Sequence, residues 1–207
     1  MSRLRYNRKQ AIDTLKSNCP RMAGLIRDKG PFSLRIKREQ NLFTSLASSI
    51  TYQQLSGKAA ATIYGRFEAL FENNKPVADE AVNFSVQTLR SVGLSNNKAL
   101  AIIDLAEHTC SGSLPDARKM AALDDESIIR SLCRVRGIGP WTVQMHLIFS
   151  LGRPDVMPAA DLAIQKGVQL TYDLPELPKP DQVLSVTQHL APYRSVASWY
   201  FWRVMDD

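Results

Sequence analysis

The residue types best suited to chemistry gather in one short stretch. Leu132-Cys133-Arg134-Val135-Arg136-Gly137-Ile138-Gly139-Pro140-Trp141-Thr142 reads as the end of one helix, a tight hairpin, and a second helix opened by proline. Glycines on both sides of Ile138 let the backbone turn sharply and approach another molecule closely. Ile138 plugs the gap between the two helices. The hairpin N–H groups and the N-terminus of the second helix then converge outward, which suits an anion such as a DNA phosphate. A tight structural corner between helices is the plainer alternative. Asp161 is the second candidate. It follows the hairpin–helix unit and opens a new helix, where aspartate is a favoured cap and the helix dipole favours its ionised form. Asp155, six residues earlier, is read as structural.

Thiol and metal chemistry find little support. Cys19, Cys110 and Cys133 are odd in number, far apart and in no C-x-x-C pair, so neither a disulfide framework nor a zinc knuckle is expected. His108, His146 and His189 show no H-E-x-x-H or comparable spacing. The chain is expected to work without cofactor or metal. Its charge is uneven: residues 1–41 hold eleven basic and three acidic side chains, a net of +8, and the remainder nets −2. A block biased in this way faces a polyanion or serves as a solvated basic arm.

The elements that must position these residues are helical. At 207 residues, 44% hydrophobic and 22% charged, the composition is that of a globular protein. Leu42, Phe43, Leu46, Ala47 and Ile50 recur at helical spacing, as do Ile63, Phe67, Leu70 and Phe71, then Ala99, Ile102, Ile103 and Ala106 with Gly112 as the stop. Asp124 to Glu126 reads as a cap and acidic first turn for a helix through Leu132. The helix from Pro140 should run to Ser150 and end before Gly152. Another should begin near Asp161, and a last one carries Val196, Trp199, Tyr200 and Val204. No period-2 strand is evident, so an all-α fold is expected. Apolar runs such as Leu147-Ile148-Phe149 are far short of the ~20 residues that span a bilayer. No apolar run follows the basic N-terminus, so neither a signal peptide nor a membrane partner is expected.

Four blocks of this chain resemble the helix–hairpin–helix DNA glycosylases, and within them the 3-methyladenine branch. They are Ser49-Ile50-Thr51-Tyr52-Gln53-Gln54-Leu55-Ser56, Val135 to Thr142, Asp155-Val156-Met157-Pro158-Ala159-Ala160-Asp161-Leu162, and Pro192-Tyr193-Arg194-Ser195 on to Trp202. The resemblance implies that Asp161 is the catalytic aspartate, an anion beside a sugar that turns cationic as its N-glycosidic bond breaks. Members that also nick the backbone carry a Schiff-base lysine where this chain has Trp141, so the reaction is expected to stop at the abasic site. Trp141, Met145 and Tyr193 are implied as walls of a base pocket in which stacking and cation–π attraction favour an alkylated purine. Gln53, Gln54 and Leu55 are implied as the loop that plugs and wedges the duplex. Ser56 and Lys58, with Arg136, Gly137, Ile138, Gly139 and Thr142 of the hairpin, complete the implied DNA contacts.

The reading that follows is a monomeric, monofunctional alkylbase glycosylase of base excision repair. It would flip and release bases such as 3-methyladenine and 7-methylguanine from double-stranded DNA. Its place would be intracellular: the nucleus of a eukaryote, otherwise the cytoplasm with the chromosome. One domain of two helical lobes with a cleft between them is expected, lobe A from residues 1–41 and 157–207 and lobe B from 42–156, with the hairpin motif at about 125–150. Ser56 and Met145 stand where some members carry histidine and an aromatic wall. They leave open the alternative of a protein that binds abasic or damaged DNA and cuts weakly or not at all.

Overall fold

Polar caps set most of the helix starts. Asn7, Asn41, Ser56, Ser85, Ser95, Asp116, Asp124 and Asp161 each precede a helix and accept a backbone N–H from its first turn. The computed structural model describes residues 4–36 and 41–206. Arg3, Lys37 and Arg38 of the basic segment lie outside the described residues. In chain order the helices are α1 (Arg8–Asn18), α2 (Pro20–Lys29), α3 (Leu42–Tyr52), α4 (Gly57–Glu68), α5 (Ala78–Ala81), α6 (Val86–Ser91) and α7 (Asn96–Cys110). They continue as α8 (Ala117–Ala122), α9 (Asp125–Leu132), α10 (Pro140–Phe149), α11 (Leu162–Tyr172), α12 (Pro180–Val186) and α13 (Arg194–Trp202). Among the described residues there is no strand, and no helix is long and apolar enough to cross a membrane.

The chain divides into two units, residues 39–143 and residues 1–38 with 144–207, the division falling inside α10. In the first, α3 and α7 pack together, each burying one apolar face: Phe43, Leu46, Ala47 and Ile50 on α3, and Ala99, Ile102, Leu105 and Ala106 on α7. Each large apolar side chain buried in this way contributes about 1.5–3 kcal/mol. The periodicity that extends a helix to Phe71 fails beyond Glu68. The chain tightens there through bonds from Leu70 N–H to the Phe67 carbonyl and from Phe71 N–H to that of Glu68, both at 3.1 Å. Phe71 is still buried, edge-on to Phe67 at 4.9 Å and to Phe84 at 5.1 Å.

In the second unit α11 lies against α13, and a Cβ on Gly167 would strike the backbone carbonyl of Phe201. α13 is buried from Ser195 to Phe201. The described part of the basic segment is no loose arm, because it folds into α1 and α2 and three of its cations are tied within the chain. Arg8 donates to the Leu34 carbonyl at 2.6 Å and lies over the Phe32 ring. Arg21 bonds Asp173, and Lys29 bonds the Asp206 carbonyl.

Candidate active site and nucleic-acid interface

The hairpin between α9 and α10 is built by short-range bonds. Val135 N–H reaches the Leu132 carbonyl and Ile138 N–H that of Val135, both at 3.1 Å. Ile138 and Val135 are buried, while Arg136 and Gly137 are exposed. Gly137 has φ +74°, and a Cβ there would stand 3.2 Å from that of Ala101. Only glycine meets both demands without strain. Gly139 differs, since an added Cβ would meet nothing within 4 Å. A further hairpin donor is held from within: Arg136 N–H bonds Asp104 Oδ2 on α7 at 2.7 Å. His108 stands one turn on, its Nε2 3.9 Å from the same carboxylate oxygen and its Nδ1 2.7 Å from Ser113 Oγ.

The turn after α3 is tied to this hairpin. Gln53 Nε2 donates to the Gly137 carbonyl at 3.0 Å and lies 3.4 Å from Thr142 Oγ1, so Thr142, which is buried, faces Gln53. Lys98 Nζ donates to the carbonyls of Thr51 at 2.8 Å and Gln53 at 2.7 Å. Burial holds its ammonium below the usual lysine range. Gln54 adopts φ +56°, the left-handed region that a non-glycine residue rarely takes. It is exposed, as are Tyr52 and Leu55, at 41% and 39% for the latter two. Ser56 Oγ caps α4 at Ala59 N–H, and Lys58 is exposed on the first turn of that helix. On α10, Trp141 is 44% exposed, unlike a core tryptophan, and Met145, one turn later, is half-buried.

Asp161 caps α11. Its Oδ1 accepts the N–H groups of Ala163 at 2.9 Å and Ile164 at 3.0 Å, and the indole Nε1–H of Trp202 at 3.3 Å. Trp202 is itself stacked on Phe149, with ring centroids 5.6 Å apart. The loop leading to Asp161 is stitched to α13: Ser195 N–H bonds the Pro154 carbonyl, and Val156 N–H bonds Ser195 Oγ, each at 2.9 Å. Asp155 is engaged in full by Arg194, whose Nε and Nη2 each lie 2.8 Å from its oxygens and whose backbone N–H adds a third bond. Burial alone would raise the Asp155 pKa, but the bonds and charge of Arg194 outweigh it and hold the carboxyl below its usual range. That is a structural clamp at the start of α13. Tyr193, the residue before it, has its ring 6.1 Å from that of Tyr6. The buried Tyr6 hydroxyl finds no partner among the described residues.

Asp104, Lys98, Trp202 and Tyr6 were not singled out in the sequence. Their partners lie far along the chain, 32 residues from Asp104 to Arg136 and 41 from Asp161 to Trp202, where helical periodicity carries no signal. Among the described residues no group of three His, Cys, Asp or Glu side chains is placed to hold a metal ion.

Comparison with known proteins shows the family of the chain. The pattern of the HhH-GPD superfamily of base excision DNA repair proteins matches residues 47–192. DNA-3-methyladenine glycosylase 1 of Schizosaccharomyces pombe is 36% identical over 193 residues, covering 93% of this chain and 84% of that protein. The alkylbase DNA glycosidase-like protein mag2 of the same yeast is 29% identical over 198 residues, 95% of this chain and 93% of its own. Among solved structures, the S. pombe 3-methyladenine DNA glycosylase in complex with abasic DNA superposes with a TM-score of 0.84 at 34% identity, covering 94% of this chain and 95% of that one.

Proposed function

Because the chain belongs to the HhH-GPD superfamily of base excision DNA repair proteins, we propose that it hydrolyses the N-glycosidic bond of alkylated purines in duplex DNA. Bases such as 3-methyladenine and 7-methylguanine are released, and an abasic site remains. The observation that carries this reading is the Asp161 carboxylate, oriented through Oδ1 by two backbone N–H groups and the Trp202 indole. An anion held in place stabilises the deoxyribose as it becomes cationic, and does so without reorganising when the bond breaks. The same carboxylate orients the water that adds to the sugar. An alkylated purine already carries positive charge and leaves readily, so the base needs binding more than protonation. The exposed indole of Trp141 stacks on it and favours its charge.

Trp141 has no amine to form a Schiff base, so the reaction ends at the abasic site. The Gly137-Ile138-Gly139 hairpin with Arg136, and Lys58 on α4, grip phosphate, which positions the enzyme without reading sequence. Gln54 and Leu55 at the tip of the turn enter the duplex where the base leaves. The protein acts as a monomer on chromosomal DNA, in the nucleus of a eukaryotic cell or the cytoplasm of a bacterial one. The deciding experiment measures release of methylated bases from alkylated DNA beside binding to an abasic duplex. Release that needs Asp161 is the expected result. Tight abasic binding with no base released would make the protein a binder of damaged DNA instead.

A further inference from the structure

Lys98 breaks a local rule. It sits in the first turn of α7, where the helix dipole is unfavourable to a cation, and where its own backbone N–H is capped by Ser95 at 3.4 Å. α3, by contrast, has no basic residue in its last turn to meet its terminal carbonyls. The Lys98 ammonium crosses from α7 to that end and bonds the carbonyls of Thr51 and Gln53. The cation thus leaves the wrong end of one helix dipole for the right end of another.

The second carbonyl matters most. Gln53 is the C-cap of α3, and its carbonyl belongs to the peptide plane that leads into Gln54. Gln54 holds φ +56° although it is not glycine, so something outside it must keep that plane oriented. On the other side the Gln53 side chain is anchored to the Gly137 carbonyl. Both restraints act on Gln53, and neither touches the exposed Gln54 and Leu55.

We propose that Lys98 is a positioning residue for the DNA wedge, its ammonium bridging the Thr51 and Gln53 carbonyls so that Gln54 and Leu55 are held ready to enter the duplex. In this arrangement Gln53 is an internal tie between wedge and hairpin, and the DNA-facing tip is Gln54 and Leu55. The proposal rests on the reading of Leu55 as the wedge, and its test separates the two.

Lys98→Met removes the cation and keeps the chain length, Lys98→Arg keeps the cation, and Leu55→Ala removes the wedge. Each variant, and the Lys98→Met/Leu55→Ala pair, is melted and then assayed in single turnover on a duplex with one 7-methylguanine. A matching duplex whose lesion nucleotide carries a 2′-fluoro sugar, which resists cleavage, with 2-aminopurine opposite it, reports unstacking at saturating protein independently of excision. Lys98→Met is expected to slow excision about tenfold or more and to remove most of the fluorescence rise, with Lys98→Arg restoring both. Added to Leu55→Ala it should change little, because the two act through one contact. Where the methionine variant melts too low, Lys98→Gln carries the same comparison. An undiminished fluorescence rise in folded Lys98→Met, or an equal loss in both Leu55 backgrounds, overturns the role of Lys98 and leaves the wedge standing. If Leu55→Ala alone changes nothing, the wedge reading fails and takes this proposal with it.

Discussion

Asp161 caps α11 and, in the function proposed above, also faces the reacting sugar, and one substitution separates the two. Asn keeps an oxygen to accept the N–H groups of Ala163 and Ile164 and caps about as well as Asp, so Asp161→Asn should alter stability by less than about 1 kcal/mol. It loses the charge that the proposed mechanism sets beside the cationic sugar, and excision should fall by about a hundredfold or more while lesion binding persists. Single-turnover excision, a thermal melt and a binding titration check the three parts. Intact excision would move the role elsewhere. Trp202→Phe is the matching test of orientation. It deletes the indole N–H that reaches Oδ1 and keeps a ring against Phe149. A charge-assisted bond of this kind is worth about 1.5–3 kcal/mol. The excision rate should therefore drop about tenfold or more with KM little changed, and an unchanged rate would show that the backbone bonds alone orient the carboxylate.

At the scale of elements, the hairpin and the clamp on α13 each make a prediction. Gly139 has open space at its Cβ position, so Gly139→Arg should fold normally and weaken binding to intact, alkylated and abasic duplexes by similar factors. Gly137→Arg is the poorer probe, since φ +74° and the nearby Ala101 would unfold the turn as well as block it. A Gly139→Arg variant that melts like the parent and binds all three duplexes equally well would leave the hairpin a purely structural corner. The Asp155–Arg194 clamp makes a prediction about pH. A carboxyl whose folded pKa lies below its unfolded value contributes stability above about pH 4, the unfolded value, and loses that contribution as pH falls through the folded one. The Tm deficit of Arg194→Met should therefore be largest near neutral pH and shrink below about pH 4. A deficit constant with pH would mean that packing, not the ion pair, holds the start of α13.

For the molecule as a whole, charge decides how it meets DNA. Affinity should fall steeply with salt, with a slope near −0.9 for each phosphate contacted. The basic segment supplies only part of that slope, because Arg8, Arg21 and Lys29 are engaged with Leu34, Asp173 and Asp206. Reversing the exposed Lys9 and Lys16 on α1 should flatten the slope by about one or two units at most. Reversing Arg21 should lower Tm instead, since it removes the Asp173 ion pair. Equilibrium titrations at a series of salt concentrations distinguish the two outcomes.

Local signals were written plainly in the chain. Asp124, Asp161 and Gly112 stop or start their helices through bonds to residues two or three away, Pro140 opens its helix by its fixed φ, and a stretch that short carries its own instructions. The all-α class, the hairpin and the capping place of Asp161 were legible for that reason. The short helices α5, α6, α8 and α12 were not, because four to seven residues are too few to repeat an apolar pattern. The charge of residues 1–41 spoke of a polyanion and hid the two helices that the segment forms. What only the tertiary structure decided is how distant side chains finish the site: Asp104 holding a hairpin N–H, Lys98 closing α3, Gln53 turned onto Gly137, and Trp202 on Asp161. Each joins groups more than 30 residues apart, whose meeting depends on how whole helices pack, and no periodicity along the chain records that.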